Sequence, residues 1–198
     1  MASLDRALDF VRRQTHLRTK SYRMLSDGLQ GDFLKAFSLM VRPRAVLEIG
    51  TFTGYAALCL AYGLHPEGVI DTVEKDDELL DIPLAAFRMA GEGRIRLHAG
   101  DAMEIVPHLD RIYDIVYVDA DKRLYSEYYD MVFPKVRAGG YILADNMFWS
   151  GKLSPGSRAA DRQTLSIAAF RSLLASDTRV EWTVLPLRDG LAVIRKGD

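Results

Sequence analysis

The sequence is short of several things, and each shortage closes a route. It has one cysteine, Cys59, in 198 residues, so no disulfide can form within the chain and a reducing compartment is expected. Four histidines (His16, His65, His98 and His108) are scattered along it, and with a single thiol beside them they do not suggest a zinc centre. No apolar run reaches the length that spans a bilayer. The opening stretch, MASLDRALDFVRRQTHLRTK, carries charge in every turn and lacks the apolar segment of a secretion signal. A cytoplasmic location is therefore expected. Charge of one sign is also missing: the net value is −1, which provides no overall field for nucleic acid or a membrane surface. There is no internal repeat, no low-complexity linker and no G-x-x-x-x-G-K-[ST] phosphate loop.

What is present is an ordinary globular mix, 48% hydrophobic and 27% charged, in a chain long enough for one α/β domain. We read residues 1–198 as a single domain, with 1–40 as a cap of two amphipathic helices joined by Met24–Gly31. Short runs rich in β-branched residues then alternate with helix-like segments. The strands read at 45–49, 69–73, 94–98, 113–118 and 140–144, and the helices at about 54–64, 76–90, 101–109, 123–137 and 160–176. Two further strands, 180–186 and 190–196, are separated by so few residues that they should form an antiparallel hairpin. The pattern predicts a Rossmann-like, doubly wound sheet with an antiparallel strand at or near its edge. In such a sheet ligands bind beyond the carboxyl ends of the strands.

The first strand ends in Glu48-Ile49-Gly50-Thr51-Phe52-Thr53-Gly54-Tyr55. Gly50 suits a tight turn, and Gly54 suits a helix start with backbone near a ligand. A plain strand–helix turn would also ask for glycine. The spacing is G-x-x-x-G, not the G-x-G-x-x-G of nicotinamide enzymes. After the second strand stands Glu74, either a ribose-binding acid or a solvated charge beside Lys75. After the third stands Asp101, either an acceptor for an adenine amino group or the N-cap of the next helix. Together these groups describe a nucleoside laid across the strand ends. S-adenosylmethionine fits, because it has a ribose, an adenine and a carboxylate but no phosphate.

The fourth strand ends in Val118-Asp119-Ala120-Asp121-Lys122 and the fifth in Ala144-Asp145-Asn146. If the two strands are neighbours, Asp119, Asp145 and Asn146 converge. Three oxygen donors without histidine or cysteine imply a hard cation, Mg²⁺ first, then Ca²⁺ or Mn²⁺. The alternative is that they cap helices and make a turn. Lys122 follows three residues after Asp119. A nearby cation and burial would both lower its pKa and make it a general base; otherwise it is a surface charge.

These stretches resemble the catechol and caffeoyl-coenzyme A O-methyltransferase family, most closely its short bacterial members. The matching strings are MLSDGLQGDFL, VLEIGTFTGYAAL, YDIVYVDADKRLYSEYY, GGYILADNMFWSGKL and VEWTVLPLRDGLAVIRK. The resemblance implies the seven-stranded methyltransferase sheet with its last strand antiparallel. It also implies roles: Asp119, Asp145 and Asn146 as metal ligands, and Lys122 with Asp119 as the catalytic pair. Glu48, Gly50, Gly54 and Tyr55 would surround the methionine part of the cofactor, Glu74 the ribose, and Asp101 with Ala102 the adenine. Asp119 would also touch the cofactor. Met24 and Ser26 would line it from the N-terminal side, and Trp149 would stand near the substrate mouth, with core packing an equal reading. Ala56 replaces the serine that animal catechol enzymes carry after G-Y. The implied acceptor is a small hydroxylated aromatic, and the implied assembly a homodimer. Two alternatives remain open at this point: an S-adenosylmethionine-binding protein without turnover, and an NAD-dependent oxidoreductase. A nucleic-acid methyltransferase would use the basic stretch Arg12, Arg13, Arg18, Lys20 and Arg23, but that stretch reads better as a solvated helix face. The N/D-P-P-Y/F/W motif of amino-methylating relatives is absent.

Overall fold

Every segment rich in β-branched residues becomes a strand. The computed structural model describes residues 2–148 and 161–198. Its strands are β1 (Ala45–Ile49), β2 (Val69–Glu74), β3 (Ile95–Ala99), β4 (Tyr113–Val118), β5 (Val136–Ala144), β6 (Val180–Leu185) and β7 (Leu191–Lys196). They form one seven-stranded sheet in the order β3-β2-β1-β4-β5-β7-β6. β7 runs antiparallel to both β5 and β6, so the antiparallel strand expected at or near the edge lies one place in from it. The helices are α1 (Ala2–Arg18), α2 (Leu29–Val41), α3 (Tyr55–Ala61), α4 (Asp81–Ala90), α5 (Ala102–Ile105), α6 (Tyr125–Val132) and α7 (Arg162–Ser176). Among the described residues no helix is long and apolar enough to cross a membrane.

The chain groups into two compact halves, Met1–His108 and Leu109–Asp198. In the first, β1, β2 and β3 pair in parallel, with Ile49 beside Val73 and Glu74 beside Ala99. β1 is buried beyond its first residue and β2 up to its last, as expected of parallel strands covered on both faces. Helix α2 approaches the segment after α3 closely: a Cβ on Gly63 would stand 2.0 Å from the Ser38 carbonyl carbon. Helix α1 lies along α4, and Arg18 grips Asp81 through two hydrogen bonds of 2.5 and 3.0 Å. Helix α4 starts at Asp81 and not at 76, because Glu74 and Asp76 turn their carboxylates onto the Asp76 and Glu78 amides at 2.9 and 3.0 Å. Those local bonds compete with a helical turn.

In the second half, β4 and β5 pair in parallel and place Val118 beside Ala144. β5 starts four residues earlier than the sequence pattern suggests. The strand runs through Gly139-Gly140, with Gly139 at φ +65°, so these glycines bend the strand without ending it. The core of this half is aromatic. The Phe170 ring of α7 stands edge-on to Tyr125 at 5.7 Å and to Tyr129 at 5.9 Å, and all three are buried.

Candidate active site

The first group of candidate residues follows from the register of β1, β2 and β3, which sets the ends of these strands side by side. Glu48 is fully buried and accepts a hydrogen bond from the Thr72 hydroxyl, which lies 2.5 Å from the Thr51 hydroxyl. Gly50 takes φ +98° and donates its N–H to the Val73 carbonyl at 2.9 Å, so the chain leaves β1 along the end of β2. Phe52 also enters the left-handed region, at φ +49°, and donates its amide to Glu74 Oε2 at 2.6 Å. With Asp76 on the other oxygen, the Glu74 carboxylate is oriented by two backbone donors. Glu74 is partly exposed, and its backbone carbonyl accepts from the Gly100 N–H at 2.8 Å. Asp101 caps α5 through the Met103 amide at 2.9 Å and receives Lys75 at 2.7 Å. Ala102 behind it is buried.

Gly54 stands at the start of α3, as expected, and carries a packing demand as well. It sits at φ +89°, and a Cβ there would meet Pro83 Cβ at 2.8 Å and the Phe87 ring at 3.0 Å. The glycine is required because α4 packs directly on it. Tyr55 is buried, and its hydroxyl accepts from Arg12 Nη2 of α1 at 3.0 Å. Burial pushes the phenol up to about 12. Thr15 of α1 lies 2.9 Å from the Thr53 hydroxyl and donates to the Val11 carbonyl at 2.7 Å. Helix α1 therefore touches the β1–α3 loop at Thr53 and the first residue of α3 at Tyr55. Ser26 is buried whereas Met24 is 59% exposed. A Cβ on Gly31 would stand 2.8 Å from Tyr55 and 3.0 Å from the Ser26 carbonyl, so the Ser26 segment is brought to Tyr55.

The second group belongs to β4 and β5. With Val118 beside Ala144, the next residues, Asp119 and Asp145, are adjacent, and the Asp145 amide donates to the Val118 carbonyl at 3.1 Å. Asp145 is buried. Asn146 takes φ +62° and donates its backbone N–H to Asp145 Oδ1 at 2.7 Å. Asp121 caps the turn Lys122–Leu124, which swings Lys122 back so that Nζ lies 2.6 Å from Asp119 Oδ1. Tyr125 lies against the same group. Its hydroxyl donates to the Val118 carbonyl at 3.3 Å, Lys122 Nζ stands 5.3 Å from its ring centre, and it feels the charges of Lys122, Asp119 and Asp145.

The expectation that Lys122 is a base rests on a nearby cation; in the protein alone Lys122 is paired with Asp119. Burial works to lower its pKa, but Tyr125 and Asp119 outweigh burial and hold the ammonium well above the usual lysine range. Without a cation the Lys122–Asp119 pair is an ion pair, not a free base. Among the described residues no three His, Cys, Asp or Glu side chains gather as a metal site; the candidate set is two carboxylates and an amide. Trp149 and the segment up to Ala160 lie outside the described residues. Nothing local marks Thr15, and Arg12 reads in the sequence only as part of a basic helix face, because their partners are 38 and 43 positions away.

Residues 2–197 match the model of a family described as O-methyltransferase. A caffeoyl-CoA O-methyltransferase of Stellaria longipes is 32% identical, the match covering 94% of this chain and 86% of the relative. The SAH-bound methyltransferase PaMTH1 of Podospora anserina has a TM-score of 0.86 at 28% identity, with 97% of this chain and 88% of that one covered. The O-methyltransferase TomG of Streptomyces achromogenes, involved in tomaymycin synthesis and solved with SAM, has a TM-score of 0.86 at 25% identity, over 100% of this chain and 91% of that one.

Proposed function

The chain belongs to the O-methyltransferase family and is an S-adenosylmethionine-dependent enzyme, and from that premise we propose that it methylates a hydroxyl of a small catechol-like acceptor with a divalent cation as helper. The observation that carries the reading is the meeting of Asp119, Lys122 and Asp145 around Tyr125 at the ends of two paired strands. The donor set fits a hard cation: Asp119, Asp145 and Asn146 offer oxygen only, the preference of Mg²⁺, Ca²⁺ and Mn²⁺. An ammonium at 2.6 Å from Asp119 supports the view that this corner favours positive charge. When bound, the cation would acidify a hydroxyl placed against it.

The chain's own groups divide the rest of the work. Glu48, Gly50, Gly54 and Tyr55 border the methionine part of the donor, Glu74 the ribose, Asp101 and Ala102 the adenine, and Ser26 and Met24 the N-terminal side. Lys122 Nζ holds or accepts the proton of the attacking hydroxyl, and Asp119 aims that nitrogen. The oxygen then displaces the sulfonium-bound methyl, forming the C–O bond as the C–S bond breaks and leaving S-adenosylhomocysteine. Holding the reacting groups in line supplies about 7–11 kcal/mol in favourable systems. That relatives are caffeoyl-CoA enzymes supports a hydroxylated aromatic acceptor, and nothing supports the nicotinamide alternative. Dimer formation belongs to the same reading and is checked by light scattering on the purified chain.

The test is transfer of a labelled methyl group to catechol and caffeoyl esters, with and without chelator. Activity should vanish with chelator, return with Mg²⁺, and fall at least a hundredfold in Asp145→Ala, about the effect of losing a charged group that stabilises the transition state. Full activity of Asp145→Ala in chelator-treated buffer would remove the metal role.

A further inference from the structure

The corner at Asp145–Asn146 is held in place by a part of the chain that carries none of the candidate ligands. Asn146 lies in the left-handed region at φ +62°, a conformation uncommon for non-glycine residues that asparagine adopts more readily than most, so the path of the chain there is set by what holds the residues after it. Immediately after it the backbone is fixed at three points. The Met147 amide donates to the Gly190 carbonyl at 2.8 Å, and the Phe148 amide to the Asp189 carbonyl at 2.7 Å. Arg171 Nη1 of α7 donates to the Met147 carbonyl at 2.9 Å. The turn that supplies Asp189 and Gly190 is closed on itself, Gly190 N–H to Leu187 carbonyl at 2.9 Å. It approaches so closely that a Cβ on Gly190, itself at φ +88°, would meet the Phe148 ring at 2.8 Å and the Phe148 nitrogen at 3.0 Å. Met147 is fully buried.

We propose that Arg171 and the β6–β7 turn are positioning elements for Asn146 and Asp145, an inference that rests on the metal reading above. Helix α7 then serves the site twice over. Phe170 backs Tyr125, which stands against Lys122, and the next residue, Arg171, fixes the carbonyl just beyond Asn146. Partners of this kind behind metal ligands typically govern about 10–100-fold in affinity.

The experiment measures Mn²⁺ binding to the purified full chain by electron paramagnetic resonance, for the unaltered protein, Arg171→Met and Arg171→Lys. The methionine keeps the stem and removes the donor, and the lysine returns one. S-adenosylmethionine affinity, measured by calorimetry on the same samples, reports on residues of the first half. Arg171→Met should weaken Mn²⁺ binding by about tenfold, Arg171→Lys should recover most of it, and S-adenosylmethionine binding should be unchanged in both. Unaltered Mn²⁺ affinity in Arg171→Met overturns the inference while leaving the metal reading intact. A parallel loss of both ligands in Arg171→Met overturns it too, because that marks a general structural defect. No Mn²⁺ binding by the unaltered protein overturns the metal reading and this inference together.

Discussion

Replacing Gly54 by alanine separates two costs that glycine ordinarily conceals. Gly54 and Gly91 share one backbone conformation, φ 89° and ψ 13° against φ 70° and ψ 22°, and both stand at helix ends. A Cβ at Gly91 meets nothing within 4 Å, whereas at Gly54 it meets Pro83 Cβ at 2.8 Å and Phe87 at 3.0 Å. Gly91→Ala therefore reports the left-handed penalty alone, about 1–2 kcal/mol. Gly54→Ala adds the overpacking cost of a rigid proline ring that cannot rotate away, about 1–3 kcal/mol. The expected totals are about 1–2 and about 2–5 kcal/mol. Urea unfolding at fixed pH, with the midpoint shift multiplied by the slope, resolves the difference. In thermal melts each kcal/mol should lower the midpoint by about 2–4 °C for a chain of this size. Equal losses in the two variants would refute the claim that α4 leaves no room at Gly54.

Arg12→Ala removes the hydrogen bond to Tyr55. It should cost about 0.5–1.5 kcal/mol and raise KM for S-adenosylmethionine several-fold with kcat near normal. Tyr55→Phe should reproduce the kinetic effect, and steady-state assays with each substrate varied decide it. Asp177 accepts from the Arg179 side chain at 2.7 and 2.9 Å, from the Arg179 amide at 2.9 Å and from Tyr129 at 2.8 Å. Arg179 above all holds its carboxyl well below the usual range. A depressed carboxylate stabilises the fold above its unfolded value, near about 4, and that contribution is lost as pH falls through the folded value. Asp177→Asn should therefore unfold more easily at pH 7 yet show a flatter acid limb, read from urea midpoints between pH 7 and pH 2.

The strands were legible because each is a short apolar run bounded by turn residues, and the oxygen donors were legible because they sit directly after such runs. Asp119 and Asp145 become neighbours from register alone. The rest depended on contacts with no local signature. The ion pair of Lys122 arises from the turn that Asp121 caps, and spacing alone does not show that Lys122 turns back onto Asp119. The packing of α4 on Gly54 has no signature in the β1–α3 turn, where the spacing of glycines suggests only a helix start with backbone near a ligand. The start of α4 was misplaced because a run of acidic residues satisfies neighbouring amides itself. Arg12 and Arg171 act through partners far along the chain, and basic residues on helices look alike until their partners are seen.

The placing of β7 between β5 and β6 bears on how the protein is made. During synthesis β5 and β6 leave the ribosome before the strand that joins them, so each carries unpaired backbone groups until β7 emerges. The Asp145 corner, which hangs from β5 and from the turn leading into β7, cannot take its final shape while the nascent chain stops short of Gly190. Stalling or truncation there leaves the outer edge of β5 open and β6 with no strand beside it.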